Sequence, residues 1–228
     1  MATDYQVRPL GVSSLSAEAI RLRSLAGTGE TDHNFDVVDL LHHVVLPALR
    51  ALGKIFTIET FDPSTPYDDP AWVDLAKRTL HVSSRIMIDA KAGDPFARLV
   101  LAHEIGHMIF HHDQEMAFSQ GKQSQIGYLP ESYSAEWQAN TFAAHLLLPD
   151  QIVLRLGCRE PAAVAILTGT TVDFVKDRRF QYERDTKSSL QRYTGDECIT
   201  CHSFTVGLRG RCEVCGAVQG GEATYRPQ

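Results

Sequence analysis

Apolar positions recur at helical spacing through “GVSSLSAEAIRLRSLA” (11–26) behind serines able to cap, which predicts a first helix that “GTGETDHNFD” breaks. “VVDLLHHVVLPALRAL” predicts a second, ending at Gly53, and the β-branched, alternating “KIFTIET” a strand. “FDPSTPYDDP” reads as a loop, since its prolines cannot donate to a ladder, and “TLHVS” as another strand. “RIMIDAKAG” is ambiguous by period alone, but Ser83 or Ser84 before it and Gly93 after it favour a short helix. Asp94 as N-cap and Pro95 at the first helical position begin a long helix to about Asp113. A polar, glycine-broken loop of about twenty residues follows, a length that is usually functional. A helix resumes in “SAEWQANTFAAHLLLP”, capped by Ser132 or Ser134, and two more flank the “TGTT” turn, where Thr170 and Asp173 have capping-box spacing.

This pattern predicts an α+β chain that is mostly helical with a small β-sheet. The main domain runs over 1–183, with a helix pair at about 158–183, and 184–228 form a linker and a small C-terminal module. Composition changes the picture little, being 43% hydrophobic and 22% charged. The net charge of −6 argues against a surface that grips nucleic acid as a whole. The opening “MATDYQVRPL” has neither a basic nor an apolar region of a signal segment, and no apolar run approaches a membrane span, so the expectation is a cytoplasmic protein with no membrane partner.

The chemistry concentrates in “LVLAHEIGHMIFHHD” (99–113). His103 and His107, four apart on a helix, lie on one face and can reach one ion, with Glu104 beside them. This is H-E-x-x-H, in which two histidines bind zinc and the glutamate is the general base. Leu101, Ile105 and Met108 give the helix a buried character, and burying His103, Glu104 and His107 unpartnered would be costly. His111 and His112 read as a solvated helix end, where imidazolium complements the dipole. The better third ligand is Glu136, on the helix after the long loop, against the plainer reading of a carboxylate stabilising a helix N-terminus. Asn140, one turn further on, is placed to accept a hydrogen bond from a ligand histidine. A His, His, Glu set leaves a fourth position open, as in a catalytic zinc site. A second donor to the reacting carbonyl oxygen could come from Tyr128, Tyr133 or His145, and the sequence does not choose among them.

Cys198-x2-Cys201 and Cys212-x2-Cys215, with Gly210 and Gly216 where tight turns around a metal need them, read as a second, structural zinc site in a ribbon-like module. “CITCH” is also the haem-attachment pattern, but haem would leave the second pair unexplained, and a redox dithiol is the remaining rival. Cys158 reads as a buried small hydrophobe. The basic residues Lys176, Arg178, Arg179, Arg184, Lys187 and Arg192 are diluted by Asp177, Glu183 and Asp185, which favours packing or protein docking over reading of DNA.

“AHEIGHMIFHH” followed by “SAEWQANTFAAHLLLP” resembles the ImmA/IrrE family of zinc metallopeptidases, closely over 97–149 and more weakly from about Val7. The resemblance implies a zincin-like domain with His103, His107 and Glu136 as ligands and Glu104 as base, followed by a helix-turn-helix-like segment. It departs at His145, where the family commonly has an acidic residue; nine residues from Glu136, it reads as surface or supporting rather than ligand. It further implies an intracellular endopeptidase cleaving one protein partner, a helix-turn-helix transcriptional repressor of a mobile or stress-response element. The alternative is a DNA- or protein-binding regulator whose zinc sites are mainly structural.

Overall fold

A strand flanked on both sides must be apolar on its covered face, and “TLHVS” meets that condition: Leu80 and Val82 are fully buried while His81, between them, is half-buried. In the computed structural model, which describes residues 4–28, 32–63, 69–112 and 130–190, this segment is the central strand of a three-stranded sheet. The chain divides into two units, Met1–Pro149 and Asp150–Gln228.

The first unit begins with α1 (Val12–Leu25). Next come α2 (Val37–Leu40), a π turn over Leu41–Val45, and α3 (Leu46–Ala51). The sequence predicts one unbroken helix here. Pro47 cannot donate to the carbonyl four residues before it, and the preceding turn widens to π geometry. Gly53 then takes a left-handed φ of 75°, and β1 (Thr57–Phe61) follows. β2 is Ala71–Asp74, a strand the sequence reading missed because four residues are too few to show an alternation. β3 (Thr79–Ser83) pairs parallel with β1 and antiparallel with β2, giving the order β1-β3-β2.

α4 (Ser84–Lys91) follows directly, with Ser83 at its N-cap position. α5 (Pro95–Phe110) starts as its residues predict, with the Asp94 carboxylate accepting from Ala97 N at 2.9 Å. It ends at Phe110, a turn short of the expected Asp113. A 3-10 turn, Glu131–Tyr133, leads into α6 (Ala135–Leu147), whose N-terminus Ser134 caps by accepting from Trp137 N. Two buried guanidiniums tie the 32–36 loop to this frame. Arg23 donates to Leu146 O at 2.8 Å and Arg98 to Phe35 O at 3.1 Å, both lying over the Phe35 ring.

The second unit holds α7 (Asp150–Arg155), α8 (Pro161–Thr168) and α9 (Val172–Leu190). α8 ends at Gly169 in the left-handed region, and Thr171 rather than Thr170 caps α9, accepting from Phe174 N at 3.2 Å. The Thr170 hydroxyl instead meets that of Thr168 at 2.8 Å. Two of the basic residues counted toward a charged patch are used internally: Arg178 pairs with Asp150, and Arg179 donates to the carbonyls of Leu156 and Arg159. Cys158 is exposed, not buried as its residue type suggested. Cys198, Cys201, Cys212 and Cys215, and with them the zinc-ribbon expectation, lie outside the described residues, as do Tyr128 and Arg192.

Candidate metal centre

Two helices meet closely where one of them lacks a side chain. A Cβ placed on Gly106 of α5 would stand 3.0 Å from Ala139 Cα and 3.2 Å from the Phe142 ring, so at this point α5 and α6 approach almost to backbone contact. With Gly106 against Ala139, the residues one turn away on either helix must face each other. His103 Nδ1 lies 2.9 Å from Asn140 Oδ1, and Glu136 Oε1 lies 3.5 Å from His107 Nε2. The glycine of “HEIGH” therefore sets the spacing across which the polar residues converge.

The convergence is on one point. His103 Nε2 and His107 Nε2 are 2.9 Å apart, and Glu136 Oε2 lies 3.3 Å from the former. Donor atoms of His103, His107 and Glu136 all fall within 4.8 Å of one another. Two imidazole nitrogens and a carboxylate oxygen are the donor types a zinc-like divalent ion takes, so the residues fit such an ion. Both remote ring nitrogens are occupied. His103 Nδ1 meets Asn140, and His107 Nδ1 meets His111 Nδ1 at 3.0 Å, while His111 Nε2 meets Gln138 Oε1 at 3.1 Å. Such outer contacts hold a ligand ring in one orientation and leave its Nε2 free to face the centre.

Charge follows from this packing. The Glu136 carboxylate is held far below the usual range by hydrogen bonds from His103 and then His107. Glu104 is 7% exposed, and burial raises its pKa, with the two histidines pulling the other way. Burial works against charge on His103, yet Glu136, Glu104 and Asn140 outweigh it and raise its pKa. His111 is pushed down to about 4, first by burial and then by His107. A cleft of about 240 Å³ lined by Pro70, Ala71, Leu99, Val100, His103, Glu104 and Asn140 opens beside these groups.

Of the residues singled out in the sequence, the structure gathers His103, Glu104, His107, Glu136 and Asn140. Tyr133 sits in the 3-10 turn before α6, and His145 is buried within α6. His111 is not a solvated helix end: it is fully buried behind His107. Gln138 went unremarked, although it stands two residues after Glu136 and binds Arg8 O and Ser132 O as well as His111. Tyr5 and Asp4 were also missed. Asp4 accepts from Ser134 Oγ at 2.7 Å and Glu136 N at 3.2 Å, and the Tyr5 ring stacks on His107, contacts across some hundred residues or more that no local spacing announces.

A short sheet beside a helix carrying H-E-x-x-H, with a carboxylate from the next helix facing both histidines, is the arrangement of a metallopeptidase-like domain. Residues 61–156, somewhat less than half of the chain, match the family model described as the IrrE N-terminal-like domain, a peptidase family. A Mycobacterium tuberculosis transcriptional regulator is similar in structure at a TM-score of 0.42 and 13% identity, over 72% of this chain and 45% of its own, so the match spans less than half of that regulator. No curated protein matches the chain. Among the described residues, no helix is long and apolar enough to cross a membrane.

Proposed function

We propose that this protein is an intracellular zinc-dependent endopeptidase that cuts one protein partner, a helix-turn-helix transcriptional repressor. The observation that carries the reading is the convergence of His103 Nε2, His107 Nε2 and the Glu136 carboxylate within 4.8 Å, with Glu104 alongside and a cleft over both. His103, His107 and Glu136 would hold the ion, and when bound it supplies Lewis acidity toward a carbonyl and a water.

The protein's own residues do the rest. Asn140 and His111 orient the two histidine rings. Glu104, buried and with a raised pKa, is suited to take a proton and give it back. The attacking water loses a proton to Glu104 as its oxygen bonds to the peptide carbon. The carbon–nitrogen bond then breaks and Glu104 returns the proton to the leaving nitrogen, yielding a carboxylic acid and an amine. The choice of a helix-turn-helix repressor rests on the family resemblance of “AHEIGHMIFHH” and “SAEWQANTFAAHLLLP”.

The test is intact-mass spectrometry of the helix-turn-helix protein encoded beside this gene, after incubation with zinc-loaded wild type and with Glu104→Gln. Fragments are expected with wild type alone, at a rate at least about 10³-fold above the variant. Equal fragments from both forms would remove Glu104 from its role, and an uncut partner that binds both forms equally would favour the regulator reading. Cys198, Cys201, Cys212 and Cys215 are assigned a second, structural zinc on their spacing. Elemental analysis of the full chain should find two zinc ions per molecule and one fewer after Cys198→Ser together with Cys215→Ser; two ions retained would refute the assignment.

A further inference from the structure

The leading segment Asp4–Leu10 lies along the entry to α6. Ala135 N donates to Tyr5 O at 3.1 Å, Val7 N to Tyr133 O at 2.9 Å and Leu10 N to Ser132 O at 3.1 Å, with a bridge between Gln6 and Ser134. Asp4 closes the arrangement by accepting from Ser134 Oγ and Glu136 N. These bonds fix Tyr5 beside the turn that presents Glu136. The half-buried ring stacks on His107 with centroids 6.4 Å apart and planes at 27°, and meets His111 edge-on at 5.9 Å. A tyrosine chosen only to fill space would end in solvent or against apolar atoms, whereas this ring lies against His107 and, edge-on, against His111 behind it.

We infer that the Tyr5 hydroxyl donates a hydrogen bond to the carbonyl oxygen of the bond being cut as that oxygen gains negative charge. The inference deepens the peptidase reading and rests on it. Glu104 takes a proton, Asn140 and His111 are engaged with the ligand rings, and the reacting carbonyl still needs a donor that the protein supplies. A phenol serves because it is neutral at working pH, adds no cation that would repel the ion, and carries its hydroxyl on a rigid ring. Tyr5 keeps its proton throughout; only a hydrogen bond forms and strengthens.

The test compares full-length wild type and Tyr5→Phe, which keeps the ring and the strand pairing and removes the hydroxyl. Cobalt(II) is titrated into each protein and followed by its visible absorption, and acetohydroxamic acid, whose anionic oxygen stands in for the charged carbonyl oxygen, is then titrated into the cobalt forms. Cobalt affinity should agree within about twofold, and acetohydroxamate should bind about tenfold more weakly to Tyr5→Phe. On the protein substrate, kcat should fall about 30- to 100-fold with KM nearly unchanged. Acetohydroxamate bound equally well by both proteins would overturn the inference, as would a fall in cobalt affinity that accounts for the whole effect, since Tyr5 would then be structural. A wild type that cuts nothing would defeat the peptidase reading instead, and the acetohydroxamate titration would still decide for or against Tyr5 as a donor.

Discussion

α5 with α6, and α8 with α9, are both adjacent helix pairs that bury polar side chains, and they bury them differently. In the second pair the buried polar side chains Thr168, Thr170 and Arg178 each reach a nearby partner. Thr168 donates to Val164 O at 2.8 Å and meets Thr170, Arg178 reaches Asp150, and Arg179 reaches two carbonyls. In the first pair the outer nitrogens are closed in the same way, but the inner ones face one another: two Nε2 atoms at 2.9 Å with a carboxylate between 3.3 and 3.5 Å away. Buried polarity alone therefore says little about function, since closed groups serve the fold. Inward-facing donor atoms whose rings are held from behind by other residues are the arrangement that suits an ion.

Glu104→Gln should leave the ligand set and metal affinity intact while removing at least about 10³-fold of the cleavage rate. Next is Arg178→Ala in the second pair. Its side chain is 1% exposed and its partner Asp150 39% exposed. Losing the pair should cost about 2–3 kcal/mol, less than a fully enclosed pair loses because Asp150 keeps some water. Hydrogen exchange should show that loss in α7–α9, and metal affinity should be unchanged. A drop in metal affinity would mean that Arg178 serves the metal centre as well as its own helix pair.

How much of this could be read from residues follows the same division. The α5 start was legible because Asp94 and Pro95 are local signals, and Asp94 does accept from Ala97 N. His103, Glu104 and His107 were legible because a four-residue spacing on a helix is itself a geometry. Glu136 and Asn140 were also named from the sequence, but their convergence on the histidines depends on the second helix docking in register, which Gly106 against Ala139 sets and only three dimensions show. β2 was too short to show a period, and the single helix predicted over “VVDLLHHVVLPALRAL” runs through Pro47, before which the chain makes a π turn. His111 was misjudged because a helix-end histidine is usually solvated, and only the opposing Gln138 reveals why this one is buried. Asp4 reaches Glu136 and Tyr5 reaches Ala135 across about 130 residues of chain, where no periodicity argument extends.

Whether the backs of the ligand rings matter is decided at Asn140. Asn140 lies beyond the centre, and its Oδ1 accepts from His103 Nδ1 at 2.9 Å, holding the tautomer whose Nε2 lone pair faces inward. Asn140→Ala removes that acceptor and no donor atom of the centre. The ring is then free to turn, and part of the population presents a protonated Nε2. Metal affinity should fall about 10-fold, within the range seen when such supporting partners are lost, with overall stability changed by less than about 1 kcal/mol because Asn140 is exposed. Asn140→Asp offers the same oxygen with added charge and should restore the affinity, whereas a residue that only filled space would be rescued by an isosteric leucine. Competition of cobalt(II) against a chromophoric chelator separates these outcomes: rescue by leucine and not by aspartate would return Asn140 to the closed, fold-serving polarity of the second helix pair.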